Sequence, residues 1–410
     1  MNILWLKTEL LHPVDKGGKI RTYQMLREIR KQHNVTYLTL DDGTADPDAL
    51  EKAEEYSTEV IAIPHRTAPK FGPRFYAELA ANLVSPLPYF MAKYRSAEMA
   101  RRIREEAGSG RYDILVCDFL QPSINMPETG GCPALLFQHN VEAMIWKRHA
   151  EVAQDPIKKA YFARQWQRTV RYEKEACRRF DAVVAVSRED AEHFRSEYEV
   201  KHVFDIPTGV DTEYFAERNG FAPGNANLVF TGSMDWLPNH DAILWFVREV
   251  LPLVRRTVPE ASLTVVGRDP FPEILAAAER DPRITVTGRV PDVRPYMSDA
   301  AVYAVPIRIG GGTRLKIYEA MSMGLPVVST TVGAEGLPLS DGDEILLRDS
   351  PADFAEAIVR LLRDRDDAKT LGKSGAARVR NEFGWARVAD RFSEICEQTA
   401  AGPGRKGRRS

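Results

Sequence analysis

The stretch from Val305 to Leu337 constrains the fold more than any other part of the sequence. An apolar run there gives way to three consecutive glycines, then to a helix-like block and a second apolar run. Two adjacent parallel strands cannot be joined by a tight turn, so the intervening helix must cross over and lie on the sheet. The stretch therefore predicts a strand, a loop, a helix and a strand, which together form one βαβ unit.

The glycine loop of this unit is suited to binding an anion. Gly310, Gly311 and Gly312 let a ligand approach the main chain without meeting a Cβ. Thr313 can cap the helix that follows. The first amide groups of that helix have no internal partners and carry a partial positive charge, which favours an anion at this position.

Two cations and a carboxylate follow the glycine loop. Arg314 and Lys316 have the wrong sign for the amino-terminal end of a helix dipole, which indicates that they hold a phosphate rather than stabilise the helix. Glu319 lies further along the helix, where it could accept hydrogen bonds from hydroxyl groups such as those of a ribose. On loop composition alone, an ordinary βα turn with a charged helix start remains the alternative.

The order of these residues resembles a family signature. The sequence GGGTRLKIYEAM is similar to the carboxy-terminal signature of retaining glycosyltransferases of family 4, which have the GT-B fold. The resemblance implies an α/β protein with two Rossmann-like domains whose parallel sheets face a central cleft. It also implies that a sugar moves from a nucleotide diphosphate sugar to an acceptor hydroxyl with retention, in exopolysaccharide or other glycan assembly.

The composition fits a two-domain globular protein. The chain has 410 residues, which is more than one hydrophobic core usually serves. Its net charge of -2 gives no reason to expect a nucleic-acid partner. Four cysteines without metal-ligand spacing indicate reduced thiols, and no apolar run is long enough for a membrane span. We therefore expect a cytoplasmic protein, with association at the inner face of the cell membrane left open.

Short apolar runs alternate with helix-length segments in the first half of the chain, which predicts a parallel sheet covered on both faces. We expect an amino-terminal, acceptor-side domain at 1–214 and a nucleotide-sugar-binding domain at 215–384. The resemblance implies that a final helix at about 385–399 packs back on the first domain. The Gly-rich basic tail, 400–410, is predicted to be disordered.

A second glycine pair follows the first predicted strand, Asn2 to Leu6. Gly17 and Gly18 offer a close backbone approach at the carboxyl edge of the sheet, where open α/β folds bind ligands. The family resemblance implies that Gly18 faces the donor phosphate. A turn that needs glycine for its own geometry is the alternative.

A histidine lies at the end of another predicted strand, in the segment FQHNVEAM. His139 is placed where a side chain projects from the carboxyl edge of the sheet, and imidazole can hydrogen-bond or transfer protons near neutral pH. The tetrad HNVE resembles the family's active-site segment, which implies that His139 contacts the transferred sugar and stabilises charge in the transition state. A purely structural histidine is the alternative. Asn140 and Glu142 are weaker candidates, and Glu142 could simply cap a helix.

Three positions depart from the family pattern. Ser233 stands where many relatives carry an arginine, and Asn239 or His240 stands where they carry a lysine. Those two cations grip the donor diphosphate in such relatives. Gly311 replaces a glutamate that contacts the donor sugar. We therefore expect the cations after the glycine loop to carry more of the charge neutralisation here.

Two further donor contacts are predicted after strands that end in Gly-Arg. Arg268 is a candidate third contact for the phosphate or the base. The resemblance implies that Val290, in the segment GRVPD, lies at the nucleotide base. Surface arginines that close βα turns are the alternative for both segments.

Two segments, 71–104 and 145–180, combine aromatic with basic residues. The second contains ten Lys and Arg but four Asp and Glu. Such segments can lie on an anionic membrane or hold a lipid-linked acceptor. A long helix with an aromatic core stripe and a solvated basic face is the alternative.

The sequence contains no convincing metal-binding loop, and the resemblance implies a metal-independent enzyme with no cofactor beyond its nucleotide-sugar co-substrate. Two other functions stay open. A sugar-nucleotide epimerase of the same fold would need acid/base carboxylates near the sugar. A non-catalytic module that binds nucleotide sugars or glycans would fit the loss of the usual cations at Ser233 and Asn239.

Overall fold

The computed structural model of the protein describes every residue except 15–16, 68–71, 128–130, 153–154, 217–224, 235, 310–314 and 403–410. The chain divides into two compact units. The first unit comprises Met1–Pro207 together with the chain from Val388 onward, and the second comprises Thr208–Arg387.

The helices in the described part of the chain are, in order, α1 (Gly17–Ile29), α2 (Pro73–Asn82), α3 (Tyr89–Ala92), α4 (Ala97–Gly108), α5 (Glu142–Val152), α6 (Pro156–Arg179), α7 (Arg188–Ser196), α8 (Leu237–Trp245), α9 (Leu251–Thr257), α10 (Pro272–Arg280), α11 (Arg294–Ser298), α12 (Leu315–Ser322), α13 (Pro351–Arg363), α14 (Arg365–Glu382) and α15 (Trp385–Ala401).

The first unit contains one parallel sheet. Its described strands are β1 (Asn2–Lys7), β2 (Asn34–Asp41), β3 (Glu59–Pro64), β4 (Ile114–Asp118), β5 (Ala134–Gln138), β6 (Ala182–Ala185) and β7 (Val203–Asp205). They lie in the order β3-β2-β1-β4-β5-β6-β7. The central strands are buried along almost their whole length, as expected for strands covered by helices on both faces.

The second unit contains another parallel sheet. Its described strands are β8 (Asn227–Thr231), β9 (Ser262–Val266), β10 (Ile284–Val286), β11 (Val302–Val305), β12 (Val327–Ser329) and β13 (Leu346–Leu347). They lie in the order β10-β9-β8-β11-β12-β13. The predicted Rossmann-like α/β architecture is therefore confirmed for both units, including the βαβ unit formed by β11, α12 and β12.

Each sheet has one point at which the strand order reverses, between β1 and β4 in the first unit and between β8 and β11 in the second. Helices leave the sheet in opposite directions at such a point, which opens a crevice outside the carboxyl ends of the strands. Lys7 and Asp118 end the two strands at the first reversal. Gly232 directly follows β8 at the second. The topology thus marks where ligands are expected in each unit.

The boundary between the units lies earlier than the sequence predicted, after Pro207 rather than after Tyr214. Val210 explains the difference, because its amide donates to the Phe383 carbonyl at 2.8 Å and its carbonyl accepts from the Trp385 amide at 3.2 Å. These bonds tie the segment after Pro207 to the second unit. The remainder of the predicted linker, 217–224, lies outside the described residues.

The last helix, α15, packs on the first sheet. The Phe392 ring lies 5.5 Å from that of Trp5 and 5.0 Å from that of Phe137, measured between centroids. The helix runs to Ala401, so the prediction of a disordered tail from residue 400 is wrong for Ala400 and Ala401. Gly402 follows in a turn, and the remaining residues of that predicted tail, 403–410, lie outside the described residues.

The long helix α6 contains much of the second basic and aromatic segment. Arg168 donates hydrogen bonds to the carbonyl oxygens of Asn82 and Leu83, both at 2.8 Å, and Arg164 donates to that of Leu83 at 2.9 Å. Trp166 packs against the hydrophobic core. These side chains therefore hold the connection after α2 in place. None of the helices that the structure describes combines the length and apolar character needed to cross a bilayer.

We expect a Gly267→Ala substitution to destabilise the second unit by at least about 3 kcal/mol. The added methyl group would collide with a backbone atom, so the main chain would have to move away from its packed position. A Cβ at Gly267 would lie only 1.7 Å from the Gly232 carbonyl oxygen. Urea unfolding followed by circular dichroism measures the loss. Gly108→Ala is the control, because a Cβ at Gly108 would meet nothing within 4 Å. Equal stability of the two variants would contradict this packing.

Candidate functional site

A buried carboxylate organises the carboxyl edge of the first sheet. Asp118, at the end of β4, accepts hydrogen bonds at Oδ2 from Lys7 Nζ (2.8 Å), Thr22 Oγ1 (2.6 Å) and Trp5 Nε1 (3.1 Å). Its Oδ1 atom lies 2.7 Å from His139 Nε2. All five side chains are buried. The carboxylate thus joins β1, α1 and β4 to the loop after β5, at the reversal point of the sheet.

The charges in this cluster are determined by burial and by Asp118. Burial acts to raise the pKa of Asp118, but the Lys7 ammonium and the His139 imidazole outweigh it and hold that pKa below its ordinary value. Burial lowers the pKa of His139 to about 3, although Asp118 acts in the opposite direction. Burial also lowers the pKa of Lys7, again against the effect of Asp118. At neutral pH the cluster therefore contains a carboxylate and an uncharged imidazole.

These protonation states fix the tautomer of His139. An ionised carboxylate only accepts hydrogen bonds, so the Nε2 atom facing Asp118 must carry the proton of a neutral ring. Nδ1 is then an acceptor with a free lone pair. It is buried and has no hydrogen-bond partner among the described residues. The site therefore presents an acceptor to a ligand group that can donate, such as a hydroxyl.

Packing around the imidazole explains why a glycine, Gly18, lies at the start of α1. The Phe119 ring stacks on His139 with a centroid distance of 3.7 Å and an interplanar angle of 21°. A Cβ at Gly18 would lie 2.8 Å from the Phe119 ring. Gly18 therefore makes room for the ring that supports His139. Its predicted contact with the donor phosphate stays a prediction.

The loop after His139 is anchored from α6. Glu173 accepts hydrogen bonds from the amides of Glu142 (2.9 Å) and Ala143 (3.1 Å), at the first turn of α5. It also accepts from Gln138 Nε2 at 3.1 Å and from Tyr198 Oη at 2.9 Å. Glu173 is thus the residue that caps α5.

Two carboxyl groups meet at this helix start. Burial raises the pKa of Glu173 to about 8, with backbone hydrogen bonds acting the other way. Burial also raises the pKa of Glu142 to about 7. Asn140, the other weak candidate, is exposed and does not share this environment.

In the second unit, Lys316 lies at the reversal point of the sheet. Its Nζ donates a hydrogen bond to Asn239 Oδ1 at 3.2 Å and lies 4.1 Å from the centroid of the Phe230 ring. A Cβ at Gly232 would lie 2.5 Å from the same Nζ. The ammonium group therefore rests on the glycine that follows β8. Asn239, one of the departures from the family pattern, orients Lys316 here.

Ser233, the other departure from the family pattern, and Arg268, the predicted third contact for the donor, lie in the same cluster of loops. Asn239 Nδ2 donates to the carbonyl of Ser233 at 2.8 Å, and Arg268 Nε donates to Ser233 Oγ at 2.8 Å. Arg268 is exposed at the end of β9. Val290 is partly buried and packs against the core of the second unit, and its predicted contact with the nucleotide base stays a prediction. The edge of the second sheet thus brings two cations together, Lys316 and Arg268.

Glu319 lies three residues after Lys316 on α12 and is partly buried. Burial raises its pKa to about 7, although the Lys316 charge acts to lower it. The remaining candidates of the glycine loop, Gly311, Gly312, Thr313 and Arg314, lie outside the described residues. The predictions made for them stay predictions.

Three residues of the candidate sites were missed in the sequence, namely Lys7, Asp118 and Glu173. The first two are polar residues that end buried apolar strands, and that pattern could have identified them. Glu173 lies in the middle of a long polar helix, where no local feature distinguishes it from a surface glutamate. Within the described residues, no group of three or more His, Cys, Asp and Glu side chains is arranged to hold a metal ion.

Comparison with known proteins matches most of the chain to two family models. One, described as Glycosyltransferase Family 4, matches residues 16–214. The other, described as Glycosyl transferases group 1, matches residues 225–364.

Individual relatives are more distant. An uncharacterized 44.6 kDa protein in the cps region of Klebsiella pneumoniae is 20% identical over 72% of this chain and 76% of its own length. A GDP-mannose-dependent monoacylated alpha-(1-6)-phosphatidylinositol monomannoside mannosyltransferase of Corynebacterium glutamicum is 22% identical over 53% of this chain and 62% of its own length. The crystal structure of Anabaena Alr3699/HepE in complex with UDP is similar in fold, with a TM-score of 0.65 and 15% identity over 97% of this chain and 100% of that one.

We expect Asp118→Asn to lower the free energy of unfolding by about 3 to 5 kcal/mol, because it leaves the Lys7 ammonium buried without a counter-charge. Adding Lys7→Met should recover part of that loss. A double-mutant cycle by urea unfolding measures the coupling between the two residues. Losses that simply add would show that the ion pair does not stabilise the first unit.

We also expect Glu173 to make stability depend on pH. Its pKa is raised from 4.5 to about 8, so between these values the folded protein holds a proton that the unfolded chain releases. Its contribution to stability is therefore lost as pH rises, by at most about 1.4 kcal/mol per pH unit. Urea unfolding between about pH 5 and 8 should show a flatter profile for Glu173→Gln than for wild type. Glu175→Gln, an exposed neighbour, is the control. Parallel profiles for all three proteins would refute this role.

Proposed function

Because the chain belongs to glycosyltransferase family 4 and has the GT-B fold, we propose that it transfers a sugar from a nucleotide diphosphate sugar to an acceptor hydroxyl, with the anomeric configuration retained. The observation that carries this proposal is the position of Lys316. An ammonium group held over Gly232 at the reversal point of a parallel sheet is placed where such sheets bind nucleotides.

The donor diphosphate needs cations at this edge, since negative charge develops on it as the sugar leaves. Lys316 is oriented by Asn239 Oδ1 and by the face of the Phe230 ring, so little side-chain freedom is lost when it binds phosphate. Arg268 supplies a second cation within the same hydrogen-bonded loop cluster. In its ionised form Glu319, one turn further along α12, accepts hydrogen bonds from ribose hydroxyls.

The transfer is a single exchange of bonds at the anomeric carbon. The acceptor oxygen bonds to that carbon on the face from which the diphosphate departs, the carbon–oxygen bond to the phosphate breaks, and the acceptor proton passes to the leaving phosphate oxygen. Asp118 is unsuited to act as a nucleophile in two successive displacements. Its oxygens already accept four hydrogen bonds inside the fold.

His139 binds and orients in this scheme. Its Nδ1 atom accepts a hydrogen bond from a hydroxyl of the transferred sugar, because burial keeps the ring neutral and the hydrogen bond to Asp118 places its proton on Nε2. An imidazole that does not titrate near neutral pH keeps this acceptor available across the physiological range. The residue therefore contributes positioning and dipolar stabilisation without a change of charge.

The glycan setting is supported by the relatives. One relative is a protein of a cps region, and another is a mannosyltransferase that depends on GDP-mannose. HepE, whose fold is similar, was crystallised with UDP, whereas the mannosyltransferase depends on GDP-mannose. The nucleotide base therefore differs among these proteins. We place this chain in exopolysaccharide or other glycan assembly in the cytoplasm, a setting in which its four buried cysteines stay reduced.

Donor binding tests the function directly. We expect one donor among UDP, GDP, ADP and TDP sugars to bind selectively and to be hydrolysed slowly without acceptor. Lys316→Ala and Glu319→Ala should each weaken binding about tenfold or more, the loss expected for a hydrogen bond to a charged group. Lys373→Ala, which removes an exposed lysine of α14, is the matched control. Calorimetric titration gives the affinities. If no donor binds, or if the Lys316 and Glu319 variants bind as wild type does, the proposed donor site is wrong.

The pH dependence of donor affinity isolates Glu319. Its pKa of about 7 means that it loses its charge as pH falls through neutrality. Since the ionised form accepts the ribose hydrogen bonds, affinity should fall below about pH 7 in wild type. Glu319→Gln should bind more weakly at high pH but with a flatter profile. Wild-type affinity that stays constant between about pH 6 and 8 would remove this role.

A further inference from the structure

A cavity of about 370 Å³ lies at the carboxyl end of β3 in the first unit. Its walls are formed by the residues that follow β3, by α2, by the connection after α2 and by α3. This volume is within the range of small-molecule sites. None of the residues discussed above as candidates for the transfer reaction lines it.

The cavity has an excess of positive charge. Its positively charged lining residues are Arg66, Arg74, Lys93 and Arg95, and its negatively charged lining residue is Glu78. Glu78 is already engaged, because it accepts from Arg74 Nε at 3.0 Å and from Tyr89 Oη at 3.2 Å. Among the described residues, none forms an ion pair with Arg66, Lys93 or Arg95. Three cations therefore face one cavity, and no carboxylate in the described part of the chain is paired with them.

Lys93 is the least solvated of the three. Burial lowers its pKa, and Glu9 and Asp42 act in the opposite direction without forming an ion pair with it. The residue is partly buried, and its carbonyl lies 2.8 Å from His65 Nε2, which ties α3 to the end of β3. Its Nζ lies 4.6 Å from the centroid of the Tyr94 ring, but a partly desolvated ammonium without a carboxylate partner is unfavourable when no anion is bound. An anion in the cavity would remove that cost.

The walls of the cavity are held in place before any ligand arrives. Asn82 Nδ2 donates to the Leu87 carbonyl at 3.0 Å, and the amide of Tyr89 donates to Gln165 Oε1 at 3.0 Å. Arg168 donates to the Asn82 carbonyl. Because α6 braces the connection between α2 and α3 in this way, a ligand need not order the site at its own expense.

Exposed apolar residues lie beside the cations. Leu83 is 50% exposed and Val84 is 89% exposed, and both come between the lining residues Asn82 and Ser85. Exposed aliphatic side chains next to a cationic cavity match a ligand with an apolar chain and an anionic head. Arginine and lysine together are suited to phosphate oxygens, since each arginine offers several donors to a single group.

We propose that this cavity binds the phosphate or diphosphate group of a lipid-linked acceptor. The proposal rests on the transferase function argued above, because it names the chemical class of that enzyme's second substrate. Its place at the carboxyl edge of the sheet agrees with the edge at which open α/β folds bind ligands.

Inorganic pyrophosphate is the probe that tests the cavity. Calorimetric titrations of the full chain in a Lys316→Ala background weaken the donor site, so the remaining binding should report the cavity. We expect about one pyrophosphate per chain to bind in that background. Adding Arg66→Gln and Lys93→Gln should weaken it at least about thirtyfold, since two charge-assisted contacts are lost.

The matched control removes two exposed cations elsewhere, with Arg104→Gln and Lys373→Gln in the same background. This control should bind pyrophosphate with an affinity within about twofold of that of the Lys316→Ala protein, because neither substituted residue lines the cavity. It changes the net charge by the same amount as the cavity variant does, so it also shows the effect of overall charge. If the cavity variant binds as tightly as this control, the proposal is overturned. Loss of all binding in Lys316→Ala alone would overturn it too.

Flotation distinguishes the two sources of a lipid phosphate. Vesicles of phosphatidylcholine, alone or mixed with phosphatidylglycerol, are floated with the protein in the presence and absence of pyrophosphate. Flotation that is unchanged by pyrophosphate and by the cavity substitutions supports an acceptor phosphate. If pyrophosphate and the cavity substitutions each abolish flotation on vesicles that contain phosphatidylglycerol, the cavity binds bilayer headgroups. The acceptor assignment is then overturned.

The donor panel separates this proposal from the transferase function. A wild-type protein that binds and hydrolyses a donor but has no second pyrophosphate site leaves the transferase intact and removes only the cavity proposal. A protein that binds no donor but retains the pyrophosphate site loses the transferase function, and the cavity then stands as an anion site without its acceptor assignment.

Discussion

The candidate site of the first unit depends on the buried charge of Asp118. A carboxylate without solvent is costly unless donors surround it, and here Lys7, Thr22, Trp5 and His139 all contact it. The donors come from β1, α1 and the loop after β5, so the same interaction that stabilises the carboxylate of β4 also fixes where these elements meet. The tautomer of His139 and its free acceptor atom are consequences of that arrangement.

In the second unit, a close backbone contact rather than a buried charge fixes where the elements of the candidate site meet. A Cβ at Gly267 would lie 1.7 Å from the Gly232 carbonyl oxygen, so the ends of β8 and β9 approach this closely only because Gly267 has no side chain. Lys316 then rests on Gly232 and is oriented by Asn239. Here the departure from the family pattern has a physical meaning, because an amide that positions a lysine takes the place of a second lysine. Both candidate sites lie at the reversal points of parallel sheets, as the topology requires.

Much of the fold was predictable because strands of parallel sheets are buried on both faces and appear as continuous apolar runs. Helix α14 was not among the predicted elements, and its Gly372 and Gly375 lower helix propensity. The structure gives a reason for the first of these glycines, whose Cβ would lie 2.1 Å from the Gly324 carbonyl oxygen. Lys7 and Asp118 are 111 residues apart, so no local pattern could pair them. His139 and Lys316 were found because each lies in a short motif.

The most direct test of this account is the protonation state of His139, measured by nitrogen-15 NMR of histidine-labelled protein with His139→Gln for assignment. The account predicts a neutral ring with the proton on Nε2, unchanged between about pH 5 and 9, because Asp118 is ionised and burial opposes the imidazolium. A proton on Nδ1, or titration near the ordinary histidine value of 6.5, would contradict it. The first result would show that Asp118 does not fix the tautomer, and the second that burial does not keep the ring neutral. After either result the role given to His139 in sugar transfer would have to be abandoned.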